Sequence, residues 1–227
     1  MKKYFNPDNP IQRALGRLLD LICLNAVFLL TCLPIITIGA ALTALYSQTL
    51  KMVRKEDTYP VRSYFREFKE DFSRSTLLWL PGLGLLLFLS ADLYLIYRVL
   101  DSSWRILQYP IWLMIFAVTA ILLYAFPLTA RYRESYGQTI RNALRLAFGN
   151  LFLSIFFVIV LFLPLDLAFH NGVAAVFFFS LLLFCGAAAI AYFFSIFLNQ
   201  VFEKASRPAD SPAKADKRKS KSLKESH

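Results

Sequence analysis

Histidine occurs twice in this chain, as His170 and His227, cysteine three times, as Cys23, Cys32 and Cys185, and acidic residues number 15 against 25 basic ones. No CxxC or Cys/His spacing links these few ligand-forming groups, which excludes a zinc knuckle, a thiol redox pair and a disulfide framework. GxSxG, HExxH and the P-loop are also missing, and neither histidine has company for acid–base work. The expectation is a protein that is not an enzyme, with no cofactor and no metal. Charged residues make up only 18% of the chain and fall in blocks, so a soluble domain's evenly charged surface is absent as well.

What fills the gaps between those blocks is apolar. Phenylalanine alone contributes 22 residues, and five stretches are long enough to meet a bilayer: Leu18 to Leu50, Thr76 to Tyr97, Ile106 to Ala130, Leu151 to Phe169 and Val173 to Phe202. A helix crossing a hydrocarbon core of roughly 30 Å needs about 20 apolar residues. Membrane strands would alternate apolar with polar residues, and Leu151 to Leu163 does not. The expected fold class is all-α: a polytopic membrane helical bundle. The three cysteines lie in these runs and pack there as small hydrophobes.

The first stretch would make one helix of about 50 Å, too long for a single crossing. Pro34, Thr37 and Gly39 interrupt it, which predicts one helix from about Ile11 to Ile35 and another from about Gly39 to Arg54. Basic residues favour the same reading. Lys51, Arg54, Lys55, Arg62, Arg66, Lys69 and Arg74 form one block, Arg131, Arg133, Arg141 and Arg145 a second, and the Lys-rich tail a third. All three share a side if the last four stretches each cross once, and Lys2, Lys3, Arg13 and Arg17 join them only if the first stretch goes in and returns. About six membrane-embedded helices with both termini in the cytoplasm follow, with a five-span chain as the alternative. The first apolar run begins too far from Lys2 and Lys3 for a cleaved signal peptide. The membrane domain is placed at residues 1–205, and residues 206–227 as a disordered basic tail suited to the anionic inner leaflet rather than to nucleic acid.

The loops carry their own pattern. Val61, Tyr64, Phe65, Phe68 and Phe72 recur at helical spacing, with Arg62, Arg66, Lys69, Glu70 and Arg74 on the other side, as expected of a helix lying at the headgroup boundary or docking a partner. In the second loop Tyr136, Ile140, Leu144 and Phe148 mark one face. Glu134 precedes Gly137 by only three residues, unlike the ATPase-coupling signature of importer permeases. Asp92 and Asp166 lie about 24 and 22 Å along their helices, near the outer interface, as hydrated or paired carboxylates. A cation site formed by both requires their helices to be neighbours. Asp20 and Asn25 lie about 140° apart on the first helix and do not converge. Gly186, Ala187, Ala188, Ala189 and Ala191 offer a small-residue face for close packing within the bundle, or for a second copy or partner helix.

In order along the chain stand Phe5-Asn6-Pro7-Asp8-Asn9-Pro10, Asp20-Leu21 with Leu24-Asn25, Leu33-Pro34-Ile35-Ile36-Thr37-Ile38-Gly39-Ala40 with Ala44-Leu45-Tyr46, Ser63-Tyr64-Phe65-Arg66-Glu67-Phe68-Lys69-Glu70-Asp71-Phe72, Phe126-Pro127-Leu128 with Arg131, and Asn142-Ala143-Leu144. Together these resemble the YesL-like family of bacterial integral membrane proteins, a domain of unknown function, over roughly residues 5 to 200. The resemblance implies a multi-pass plasma-membrane protein in a carbohydrate-utilisation context, near ABC sugar-transport genes, and implies no catalytic or binding residues. The functional expectation is a non-catalytic accessory component supporting a carbohydrate ABC uptake system. Its partners would be the bilayer and ABC sugar-transporter subunits, the latter docked on Tyr64, Phe65, Arg66, Phe68, Lys69 and Phe72. The alternative is a small secondary transporter or channel using Asp92 and Asp166. Whether the chain forms a homo-oligomer is left open.

Overall fold

The computed structural model describes residues 10–56, 59–98, 106–132 and 134–206, and among them every regular element is a helix. In chain order these are α1 (Pro10–Thr31), a 3-10 turn (Ile35–Thr37), α2 (Ile38–Val53), α3 (Pro60–Glu70), α4 (Phe72–Arg98), α5 (Gln108–Tyr132), α6 (Tyr136–Gly149), α7 (Leu151–His170), α8 (Gly172–Leu181), a π turn (Leu182–Gly186) and α9 (Ala187–Ser206). Three helices, α4, α5 and α7, are long and apolar enough to cross a membrane, and the bent pair of α8 and α9 makes a fourth if counted as one span. Residues 5–9 of the opening Phe5 to Pro10 motif and the basic tail beyond Ser206 lie outside the described residues.

The break expected at Pro34 to Gly39 is present, and its physical basis is sharper than a loosened backbone. α1 ends at Thr31, Pro34 is extended, and the Thr37 hydroxyl donates to the carbonyls of Thr31 at 2.6 Å and Pro34 at 2.7 Å. Gly39 is needed for close approach: a Cβ there would stand 2.5 Å from Trp79 Cβ and 2.7 Å from the Ser75 carbonyl oxygen. Trp79 Nε1 also donates to Ile35 O at 2.9 Å, so the turn is clamped to α4. Trp79 is only seven residues into α4, with 19 remaining to Arg98, which places the α1–α2 turn beside the first third of that helix. The tip itself is apolar and outward-facing, with Leu33, Ile35 and Ile36 exposed.

α2 is the hub. From Gly39 to Leu50 its residues are buried apart from the half-buried Leu42, and it packs on α3, α4, α5 and α9. A helix buried on all sides needs small or self-satisfied side chains, and α2 supplies Ala40, Ala41 and Ala44 with Thr43 and Thr49. The Thr43 hydroxyl donates to Gly39 O and accepts from Ser75 Oγ at 2.8 Å, while Thr49 Oγ1 meets Ser195 Oγ of α9 at 2.8 Å. The stacked rings of Phe157 and Phe194, 4.1 Å apart, join α7 to α9 in the same core.

The last apolar stretch is not one straight helix. Its halves meet at 74° across the π turn, where a Cβ on Gly186 would stand 3.0 Å from Leu181 O. A π turn breaks the regular backbone ladder, and the freed groups need partners where no water reaches. Asn25 of α1, fully buried, supplies them: its amide nitrogen donates to Leu182 O and Leu183 O at 2.9 Å each, and its amide oxygen accepts from Ala188 N–H at 3.2 Å. Of the small-residue face, Gly186, Ala188 and Ala191 are buried inside the bundle.

Candidate functional site

α3 begins where Tyr59 is extended and Pro60 takes the first turn, a position that wastes no helix donor. Its inner face carries Ser63, Tyr64 and Glu67. The wholly buried Tyr64 hydroxyl lies 2.6 Å from Thr31 Oγ1 and 3.4 Å from Ala41 O. Thr31 Oγ1 also lies 3.0 Å from Val27 O and from Phe28 O, so either hydroxyl can supply the proton of the Thr31–Tyr64 contact. Burial pushes the Tyr64 phenol well above its ordinary range, opposed in part by the bond to Thr31. Lys51 Nζ, at the end of α2, pairs with Glu67 Oε1 at 2.8 Å, and both groups are largely shielded from solvent. An ion pair at that depth breaks at a high cost once either partner is removed, so it fixes the angle between α2 and α3.

The six residues of the expected docking face therefore divide. Tyr64 points into the bundle and Phe68 is half-buried against it, its ring stacked on Tyr64 at 6.3 Å. Phe65 and Phe72 are exposed, at 44% and 37%, and Arg66 and Lys69 lie on the outer surface beside them. Arg66 leans on Glu67 at 3.4 Å and on Glu70 at 4.0 Å. The outer face of α3 thus presents Phe65, Arg66 and Lys69, with Arg62 and Glu70 also exposed, and Phe72 follows at the start of α4.

α6 buries its small residues and exposes most of the bulky face read from the sequence. Thr139, Ala143 and Ala147, spaced four apart, face inward against α5, while Tyr136, Leu144 and Phe148 face outward. Small residues allow close helix approach, and the bulky stripe is left for lipid or a partner. Sequence periodicity located the bulky stripe and not the Thr139, Ala143, Ala147 stripe, which is the one packed inward.

Asp92 and Asp166 are in separate surroundings. Asp92 sits half-buried at the far end of α4, in a groove with Ile96, Leu107, Pro110 and Met114. Asp166 is exposed on α7 and faces His170 of its own helix, Oδ1 to Nδ1 at 3.6 Å. Among the described residues no group of three or more His, Cys, Asp or Glu could hold a metal ion. Between α2, α4, α5, α7 and α9 lies an apolar cavity of about 420 Å³, lined among others by Leu45, Tyr46, Trp79, Phe126, Val160 and Phe194. Its polar content is small. Asp20 and Asn25, separate on α1 as expected, have different roles: Asn25 serves the π turn, and Asp20 is half-buried.

A model of the family described as "Protein of unknown function, DUF624" matches residues 21–93. That segment holds the second half of α1, all of α2 and α3, and α4 as far as Leu93, so it includes the Tyr64 anchor, the Lys51–Glu67 pair and the Trp79 clamp. No curated protein and no solved structure matches the chain.

Proposed function

We propose that this chain is a non-catalytic plasma-membrane component that supports a carbohydrate ABC uptake system, docking a transporter subunit through the outer face of α3. The observation that carries the reading is the anchoring of α3. Its inner face is committed to Thr31, Ala41 and Lys51, yet Phe65 remains outside with Arg66 and Lys69, and the exposed Phe72 follows at the start of α4. A rigid surface with aromatic anchors and flanking cations loses little conformational entropy when a partner binds. The carbohydrate context comes only from the family resemblance of the sequence.

In this reading α4, α5, α7 and the bent α8–α9 pair cross the bilayer. α1 and α2 form a hairpin that enters and returns, giving six membrane-embedded helices with both ends in the cytoplasm. Support comes from the ends of three helices: Lys51, Arg131 and Lys204 stand in the last turns of α2, α5 and α9. Thr49 to Ser195 and Arg131 to Asn199 bonds tie those ends to one another, which gathers the positive charge on one side.

The test is co-purification from native membranes in mild detergent. Wild type is expected to retain carbohydrate-transporter subunits, and Arg66→Glu with Lys69→Glu to release them while the melting temperature holds. Flux of a sugar or an ion through liposomes containing only the purified chain, lost with Asp92→Asn and Asp166→Asn, would replace this reading with a transporter.

A further inference from the structure

At the end of the bundle where α5, α6 and α9 meet lies a cleft of about 380 Å³, bounded by Leu128, Tyr132, Glu134, Asn142, Arg145, Leu146 and Phe202. It is a built feature. Arg131 donates to Asn199 Oδ1 at 3.0 Å, and its guanidinium lies 5.3 Å from the Tyr132 ring centre and 5.4 Å from that of Phe202. Those two rings meet edge to face at 6.0 Å, so one cation fixes two walls. On the opposite side Asn142 Nδ2 donates to Glu134 Oε2 at 2.6 Å and holds the carboxylate in place.

Arg145, one helical turn from Asn142, lines the same cleft, and among the described residues it forms no ion pair with Glu134 or any other group. A cation and an anion facing one cleft without closing on each other leave room for a ligand that carries both charges. Leu128, Leu146 and Phe202 make the remaining surface apolar. The cleft also lies at the end of α5, a helix apolar and long enough to cross the bilayer, and therefore at headgroup depth.

We propose that this cleft binds the headgroup of a zwitterionic aminophospholipid, with its phosphate on Arg145, its primary ammonium on Glu134 and its glycerol end against Leu128, Leu146 and Phe202. Charge-assisted hydrogen bonds to both ends of the headgroup give the selectivity, since a choline headgroup has no N–H to donate and a glycerol headgroup has no cation. The inference stands independently of the docking role of α3.

The experiment mixes the purified full chain with micelles holding equal fractions of phosphatidylethanolamine, phosphatidylglycerol and phosphatidylcholine, and counts retained lipid by mass spectrometry. Wild type is expected to retain phosphatidylethanolamine roughly three- to tenfold over the others, the scale of one screened charge-assisted hydrogen bond. Glu134→Gln should abolish the preference over phosphatidylcholine and spare phosphatidylglycerol. Arg145→Gln should lower retention of phosphatidylethanolamine and phosphatidylglycerol together, and Arg141→Gln on the same helix should change neither. In case Glu134→Gln impairs folding, wild type is also titrated with mono-, di- and trimethylated phosphatidylethanolamine, where retention should fall as donors disappear. Equal retention of all three lipids, a flat methylation series, or a well-folded Glu134→Gln protein that keeps the preference would overturn the proposal. Soluble O-phosphoethanolamine displacing the lipid at equal concentration would also overturn it, by assigning the cleft to a free solute.

Discussion

The hydroxyls of Tyr64 on α3 and Thr31 on α1 share a hydrogen bond of 2.6 Å, at a point where neither helix is otherwise bound by sequence proximity. The contact turns a loop helix into part of the core. Tyr64→Phe should cost only about 1 kcal/mol, because Thr31 keeps its backbone partners. Tyr64→Ala, which also empties the ring's site, should cost about 3–5 kcal/mol. Thermal unfolding of the detergent-solubilised protein measures both, and equal stability of Tyr64→Ala and wild type would deny α3 its anchor.

Asn25 bonds three backbone groups at the π turn. Asn25→Leu leaves the Leu182 and Leu183 carbonyls and the Ala188 N–H without their side-chain partner, at a cost of about 1–3 kcal/mol. Hydrogen exchange should speed up at Ala188 more than at Leu198, deeper in the same helix. Uniform protection along α9 in the variant would show that the bend holds without α1.

Gly39 and Pro34 flank one turn but should respond differently. Gly39→Ala pushes a methyl group into Trp79 Cβ and the Ser75 carbonyl, and overpacking at a rigid helix crossing costs about 1–3 kcal/mol. Pro34 is exposed, and the turn it enters is also held by Thr37 and Trp79. Pro34→Ala should therefore leave folded yield within experimental scatter of wild type, whereas Gly39→Ala lowers it. A reversed order of yields would place the turn's stability in the proline.

α4, α5 and α7 could be read from apolar length, the turn before α2 from Pro34 and Gly39, and α3 and α6 from helical spacing. What could not be read was which apolar side faced inward. In a soluble protein the larger hydrophobes of α6 would face the core, but beside lipid Tyr136, Leu144 and Phe148 can stay outside while Ala143 and Ala147 pack. The same ambiguity concealed the inward turn of Tyr64 within an aromatic run. Asn25 pairs with backbone groups more than 150 residues away, and a π turn has no sequence marker beyond Gly186, so that junction had no local signal. Of the cleft, Arg131 and Asn142 stood among the quoted motifs, but Asn199 and Phe202 join them only through the return of α9.

Lys55 ends α2 in a left-handed conformation, φ 59°, with the Glu56 N–H returning to Lys51 O at 3.0 Å. Glycine occupies that position without the steric cost of a Cβ. Lys55→Gly should raise stability by about 0.5–1 kcal/mol, although it removes a basic residue from the loop. The melting temperature of the variant decides it, and a fall would mean that the lysine's charge outweighs its backbone strain.

The docking role of α3 is tested most directly by a photocrosslinking amino acid placed in the living cell at Phe65, with a second placed at Tyr64 as the inward control. Phe65 should crosslink to a subunit of a carbohydrate transporter, and Arg66→Glu with Lys69→Glu should abolish that product while Tyr64 yields only links within the chain. Crosslinks from Phe65 to lipid alone, in cells that are importing carbohydrate, would contradict a partner on this face.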